Sequence, residues 1–522
     1  GDTVNFRYGN TQKKVSNLSL VAQGGNIEMR RWTNINYDSD SLILISAERN
    51  KDYSVAKAAG LTANGHKSNG GSPDARFIHD GHIYSNDSLK ITRTNDEDGK
   101  TGIYADYHIR TAMVNILDSS AMNKNNTAIE SHLGDIWLGY SVSPYPCPTP
   151  GQTTLGYDIN RFIYKNLGNT NNQSLLIRAG YQDQSNTTRY GGGNIYVAQM
   201  KNELTTGGTT DTEISIPFSN EYLCGSTWSP DFLYNRKDSS MMMYEHAGII
   251  FGLGRCGEDK NIDKYAPAQN LASGNKVTKT SLIYRGNKGN LKVDAGTRGN
   301  IILNKGGLIN FQDPQNTGNV TFRTRFGDID MRDPFNADSI AGSLLFLAQT
   351  ENLSDLSKVG YCGCEEERNN VYLQDFQYKA HGASGSIFVG ADNNIKLNYG
   401  GLQNKGTRYD PFLSTDYLAC PDSSVAKIGS GYQRGGGCGP MYHCDMHDSV
   451  NQARNLILNF YQDSTNTDIT SGGFAAVASD YIDVYKSLIY KGGNGSGMSA
   501  VPGVGTLHGE SVAGYGLYMK TQ

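Results

Sequence analysis

Residues 281–349 run as a series of short units: SLIYRG (281–286), GNLKVDAG (289–296), GNIILNKGG (299–307), LINFQD (308–313), GNVTFRT (318–324), FGDIDMRD (326–333) and SLLFLAQ (343–349). Four of the seven carry a Gly-Asn or Gly-Asp step at or next to their start. Within them Leu291 and Val293 share one face, as do Ile301 and Leu303, Val320 and Phe322, and Ile329 and Met331. A period of two is the signature of a strand. The opposite set, Lys292, Asp294, Thr321, Arg323, Asp328, Asp330 and Arg332, is polar and mixed in sign, which predicts a solvated sheet face. Most starts are about ten residues apart, too close for an intervening helix. An antiparallel meander and a parallel β-helix both fit that spacing. The Gly-Asn and Gly-Asp steps bend a strand around a corner, and several are not two-residue hairpin loops, so the β-helix is the expectation.

The Gly-Asn-Ile-x-hydrophobic units resemble the β-helix of the filamentous-haemagglutinin type, most clearly over 281–349. That resemblance implies a right-handed solenoid in a large bacterial surface adhesin or surface fibre. It speaks to fold more than to chemistry.

The bulk composition agrees. In 522 residues there are 62 Gly and 32 Tyr, and charged residues are only 19%, which suits a turn-rich, all-β, extracellular chain. A net charge of −4 gives no basic footprint for nucleic acid. No apolar run approaches the ~18 residues of a membrane span, so membrane insertion is not expected. A chain that starts at Gly1 with no secretory leader reads as a mature or excised segment.

Self-comparison suggests a longer period. Gly134-Asp135-Ile136 recurs as Gly327-Asp328-Ile329, and Ser88-Leu89 as Ser281-Leu282, both at an offset of 193. Tyr181-Gln182-Asp183 recurs as Leu373-Gln374-Asp375 and Ile195-Tyr196-Val197 as Ile387-Phe388-Val389, both at 192. Pro217-Phe218, Tyr222-Leu223-Cys224, Asp238-Ser239-Ser240 and Cys256-Gly257 have counterparts in order at Pro411-Phe412, Tyr417-Leu418 with Cys420, Asp422-Ser423-Ser424 and Cys438-Gly439. The expectation is an internal duplication with a period of about 193 residues. Residues 1–87 then end one unit, and 88–280 form a second with an insertion at 200–274. Residues 281–486 form a third with insertions at 350–384 and 402–454, and 487–522 begin a fourth.

Eight cysteines, with no CxxC pair, argue for disulfides in an oxidising compartment rather than a zinc ribbon. Cys224 with Cys256, and Cys420 with Cys438, occupy matching places and are the expected bridges within insertions, each stabilising by roughly 3–4 kcal/mol. Cys362 and Cys364 are too close to pair easily with each other; Cys147 and Cys444 are the open partners. The segment His443-Cys444-Asp445-Met446-His447-Asp448 has metal-ligand chemistry, but a polar loop tethered through Cys444 is the simpler reading. Asn95-Asp96-Glu97-Asp98-Gly99 lacks most ligands of a calcium loop and reads as an acidic turn. Gln-Asp pairs at 182–183, 312–313, 374–375 and 462–463 follow strands and read as corners rather than sugar ligands. Asp328, Asp330 and Asp333 are the nearest carboxylate set, and their alternation with Arg325 and Arg332 reads as a surface charge ladder. Asp-Ser-hydrophobic triplets at 40–42, 87–89, 338–340 and 448–450, and sequons at Asn17 and Asn319, are short glycosylation-type patterns.

No catalytic signature, cofactor site or metal site is therefore expected. The expected function is a structural or adhesive extracellular repeat protein, a rigid fibre, adhesin stalk or sheath at the cell surface. Its expected partners are copies of itself or neighbouring repeats, and surface glycans. The alternative class is a polysaccharide-binding or polysaccharide-degrading β-helix enzyme of the lyase or tailspike kind.

Overall fold

The structure is a computed structural model. It describes residues 3–6, 17–23, 25–29, 33–37, 41–47, 81–93, 99–106, 108–118, 125–132, 134–138, 162–166, 173–182, 189–190, 194–197, 200–204, 210–216, 248–251, 282–285, 289–296, 300–303, 307–310, 318–325, 327–331, 335–349, 369–373, 376–380, 385–397, 456–461, 467–484, 488–498, 501–502, 506–507 and 509–522.

These residues are all-β, with no helix among them. The chain cycles through three parallel ladders in a fixed order. It first adds a strand to a twelve-stranded sheet: Asn17–Gln23, Ser41–Ala47, Gly99–Ala105, Asn125–Ser131, Gln173–Ala179, Thr210–Ser215 and six more, the last being Leu517–Thr521. It then adds a strand to a narrow ladder whose members are mostly three residues long, such as Ile27–Met29, Ile136–Leu138, Ile195–Val197, Ile301–Leu303 and Ile482–Val484. A third ladder follows, with Thr33–Tyr37, Phe162–Asn166, Leu282–Arg285, Phe376–Ala380 and Leu488–Gly492 among its strands. The long strands Ile83–Arg93 and Ile109–Asp118 each pair in both of the last two ladders, which joins these into one 21-stranded sheet. The one antiparallel pair of strands among the described residues is the hairpin Tyr181–Gln182 with Arg189–Tyr190. The meander is therefore set aside.

The period-two reading explains the core. Leu291, Val293, Ile301, Leu303, Val320, Phe322, Ile329 and Met331 all belong to one buried apolar cluster that draws on all three ladders. That cluster runs from Met29 to Ala478 without a break. Like residues stack along it: Phe322 lies parallel on Phe346 at 5.5 Å, and Phe346 meets Phe376 edge to face at 5.8 Å. Each side chain so buried contributes about 1.5–3 kcal/mol.

Three expectations are corrected. Asp294, Asp328 and Asp330 do not lie on a solvated face; they are 8%, 5% and 0% exposed. The span 200–274 is not all insertion, because Met200–Leu204, Thr210–Ser215 and Ile249–Phe251 are ladder strands. Within 350–384, Val371–Leu373 and Phe376–Ala380 are likewise strands. The offset of 193 joins Ile136 to Ile329 and Leu89 to Leu282, each pair in one ladder. The offset of 192 joins Ile195, in the narrow ladder, to Ile387, in the twelve-stranded sheet.

The Gly-rich stretch after Leu488–Gly492 does more than trail away. Met498, Val501, Leu507 and Val512 fold onto the outer side of the twelve-stranded sheet and bury Leu345, Leu347, Phe388, Ala475 and Val477 in a second core. Gly390 makes this possible from below, since a Cβ there would sit 2.6 Å from the Leu507 side chain. Gly495 does so from above, with φ +71 and a would-be Cβ 2.1 Å from the Tyr515 backbone.

Candidate functional site: the narrow ladder and its corners

The sequence immediately before nine of the eleven narrow strands has a common form, Asn26-Ile27, His82-Ile83, His108-Ile109, Asp135-Ile136, Asn194-Ile195, Asn300-Ile301, Asp328-Ile329, Asn370-Val371 and Asn394-Ile395; the exceptions are Gly248-Ile249 and Tyr481-Ile482. The strand must turn here, and its corner N–H groups need acceptors. Side chains supply most of them, accepting the N–H of the counterpart in the next circuit. Asn194 N–H donates to Asp135 Oδ1 at 2.7 Å, and Gly248 N–H to Asn194 Oδ1 at 3.0 Å. Asp328 N–H donates to Asn300 Oδ1 at 2.7 Å, Asn370 N–H to Asp328 Oδ1 at 2.9 Å, and Asn394 N–H to Asn370 Oδ1 at 3.1 Å. Asp328 is thus a buried acceptor for two donors of Asn370, its N–H and its Nδ2–H.

A second corner, where the chain enters the twelve-stranded sheet, works the same way. Asn290 N–H donates to Asp211 Oδ1, Asn319 N–H to Asn290 Oδ1, and Ser343 N–H to Asn319 Oδ1, at 2.8 to 2.9 Å. The sequon residue Asn319 is therefore a member of a corner ladder. Ser41, of the triplet 40–42, is buried, and its Oγ accepts Lys100 N–H at 3.0 Å. The sequence showed these ladders as Gly-Asn and Gly-Asp steps; what it did not show is that the polar side chain bonds along the stack rather than within its own turn.

The middle residue of each narrow strand points away from the inner core, and register places these residues in one axial column. Trp137 pairs with Tyr196, Ile302 with Asp330, Asp330 with Tyr372, Tyr372 with Lys396 and Lys396 with Asp483. Trp137, Tyr196, Ile302 and Asp330 are at most 1% exposed despite facing outward. Trp137 and Tyr196 stack at 5.5 Å with planes 10° apart. Further along, the column is half-buried, and Lys396 Nζ lies 5.6 Å from the Tyr372 ring and 5.9 Å from that of Tyr481.

The long connections have a common address. Those spanning 48–82, 216–248 and 349–370 enter the narrow ladder, and those spanning 139–161, 252–281 and 398–455 leave it. All eight cysteines fall, by number, within five of these six spans. Cys147, Cys224, Cys256, Cys362, Cys364, Cys420, Cys438 and Cys444 lie outside the described residues. So do His443 to Asp448, Asn95 to Asp98, Asp333, Arg332, and the Gln-Asp pairs apart from Gln182. No group of three or more His, Cys, Asp or Glu that could hold a metal ion occurs among the described residues. No described helix is long and apolar enough to cross a membrane.

No protein-family model matches the chain, and no curated protein or solved structure matches it.

Proposed function

We propose that the chain is a right-handed parallel β-helix that serves as a rigid extracellular rod, a structural or adhesive element of a surface fibre, adhesin stalk or sheath, as its resemblance to filamentous-haemagglutinin units implies. The observation that carries this reading is the inner core unbroken from Met29 to Ala478, because a core continuous along one axis makes a stiff, extended body rather than a pocketed one. Right-handedness follows from the general hand of parallel crossovers. Twelve strands at about 4.8 Å each give roughly 55 Å of axial length.

Two features support self-association or stacking on neighbouring repeats. Leu517 and Met519 pair with the inner residues Phe474 and Ala476, yet are 43% and 38% exposed. Leu20 pairs with the inner Leu44 and is 38% exposed. Further strands in the same register would cover all three. The connections gathered at the narrow ladder supply the specific surface, since insertions on one side of a solenoid are where it meets its ligand, here surface glycans. Cys224 with Cys256, whose connections flank one narrow strand, and Cys420 with Cys438 are the proposed staples.

Negative-stain microscopy with and without reductant tests the proposal. Rods that join end to end, and loosen in reductant, are expected. Single compact particles with activity on anionic polysaccharide would replace this reading with the β-helix enzyme. Mass mapping without reduction that finds free thiols at Cys224 and Cys256 would remove the staples.

A further inference from the structure

The side-chain acceptors in the corner ladder before the narrow strands are Asn and Asp oxygens except at two adjacent circuits, where they are His82 and His108. Asn26 Oδ1 accepts His82 N–H at 3.0 Å, His82 Nδ1 accepts His108 N–H at 3.1 Å, and His108 Nδ1 accepts Asp135 N–H at 2.9 Å. From Asp135 onward carboxylate and amide oxygens resume. The two imidazoles are stacked at 5.2 Å with planes 25° apart, and the His108 ring is 5.2 Å from Trp137. His82 is 1% exposed. Each ring accepts at Nδ1, so each must be neutral with its proton on Nε2.

We propose that His82 and His108 form an acid-sensitive joint in the stack. Protonation adds a hydrogen at Nδ1 and converts the acceptor into a donor that faces a backbone N–H. Two stacked imidazoles then also carry like charge. An amide or carboxylate corner has no such response between about pH 5 and 8, where an ordinary histidine titrates. The joint sits at the entry to Ile83–Arg93 and Ile109–Asp118, the two strands that hold the narrow and third ladders together, so opening here loosens both. The backbone bonds at the same corner, Ile83 N–H to His108 O and Ile109 N–H to Asp135 O, open with it.

The described titratable groups on the surrounding circuits are Glu28, Asp106, His132 and Asp135. Asp135 uses Oδ1 to accept Asn194 N–H. His132 lies 3.7 Å from Asp106, and protonation of that pair strengthens it, the opposite sense to the joint. The Trp137 face and the carboxylates attract an imidazolium and burial opposes one, but neither restores the acceptor that protonation removes.

The ladder itself supplies the test, because Asn occupies the same place at Asn26 and Asn194. Hydrogen exchange with mass-spectrometric readout, corrected for the intrinsic pH dependence of exchange, is compared between neutral and about pH 5 on the full chain. Peptides covering 108–118 and 135–138 are expected to lose protection roughly tenfold in the wild type, with no loss in the His82→Asn/His108→Asn double variant. Peptides across Asp328 and Asn370 should hold protection in both. His132→Asn should leave the acid response in place. Should the double variant fold poorly, His108→Asn alone serves, and it should restore protection of Asp135 N–H at acid pH. Unchanged protection in the wild type, an equal loss in the Asn variants, or a response that disappears with His132 would each overturn the joint.

Discussion

The twelve-stranded sheet has one inner face but two different outer ones. Over Thr210–Ser215, Leu291–Asp294 and Val320–Thr324 the outer residues are polar: Lys292 lies 3.6 Å from Glu213 on the preceding circuit and 3.6 Å from Asp294 on its own strand. Over its later strands they are Leu345, Leu347, Phe388, Ala475 and Val477, sealed under Met498, Val501, Leu507 and Val512. Backbone pairing is parallel in both regions. The inner residues are apolar in both. Only the cover differs. The comparison separates two requirements that sequence patterns usually mix: alternation reports a sheet with one wet face, and a continuous apolar run reports a sheet with none.

The largest expected effect belongs to the face the two regions share. Phe346→Ala removes a ring stacked on Phe322 and edge-on to Phe376, and should cost about 3–5 kcal/mol in a denaturant melt. Thr321→Ala, on the wet face of the neighbouring strand, should stay within about 0.5 kcal/mol. Equal effects at the two positions would mean that the inner stack is not what holds the sheet. Next comes the covered face. Leu347→Ala should cost about 2–3 kcal/mol, because the residues over it can partly resettle. It should also expose 493–516 to protease before the ladders are cut. A melt shift without early cleavage there would break the distinction between the two outer faces.

Much of this was legible in the chain. NVTFRT (319–324) alternates, while SLLFLAQ (343–349) and GFAAVAS (473–479) do not, so the change of outer face is written in the strands themselves. What alternation cannot report is what lies over a face. Asp330 was read as solvated because it alternates with Ile329 and Met331, and it is fully buried because its circuit is covered on the outside too. The corner ladders were half legible: residue type marks a turn, but the acceptor's partner is a residue one circuit away, at a separation set by connections of very different length. For Asn370 the donor is 24 residues on, and for Asp135 it is 59. Removing one such acceptor is the third test. Asn370→Ala strands Asn394 N–H and takes a donor from Asp328, at a cost of about 1–3 kcal/mol. No loss in this variant would mean that the ladder bond contributes nothing and backbone pairing alone sets the corner.

The smallest effect at neutral pH should come from Tyr378, and it changes with pH. The side chain is buried among inner residues, its ring 5.1 Å from Phe460, and its hydroxyl has no hydrogen-bond partner. Burial pushes the phenol far above its ordinary value of 10.0. Tyr284 is raised in the same way by burial, against a hydrogen bond with Thr212 that lowers it, and half-buried Tyr490 is raised by burial to about 12. A phenol raised in the folded state stays protonated there while the unfolded chain ionises, so stability is intact below about pH 10 and falls as pH rises above it. Tyr378→Phe removes both the unpaired hydroxyl and one of the groups driving that fall. At neutral pH it should be neutral or stabilise by about 1 kcal/mol. Above pH 10 its advantage over wild type should widen, read as the gap between their melting temperatures at successive pH values. A gap that stays constant would mean that the Tyr378 phenol ionises as readily inside the stack as in the unfolded chain, which the dry inner face shared by both halves of the sheet does not permit.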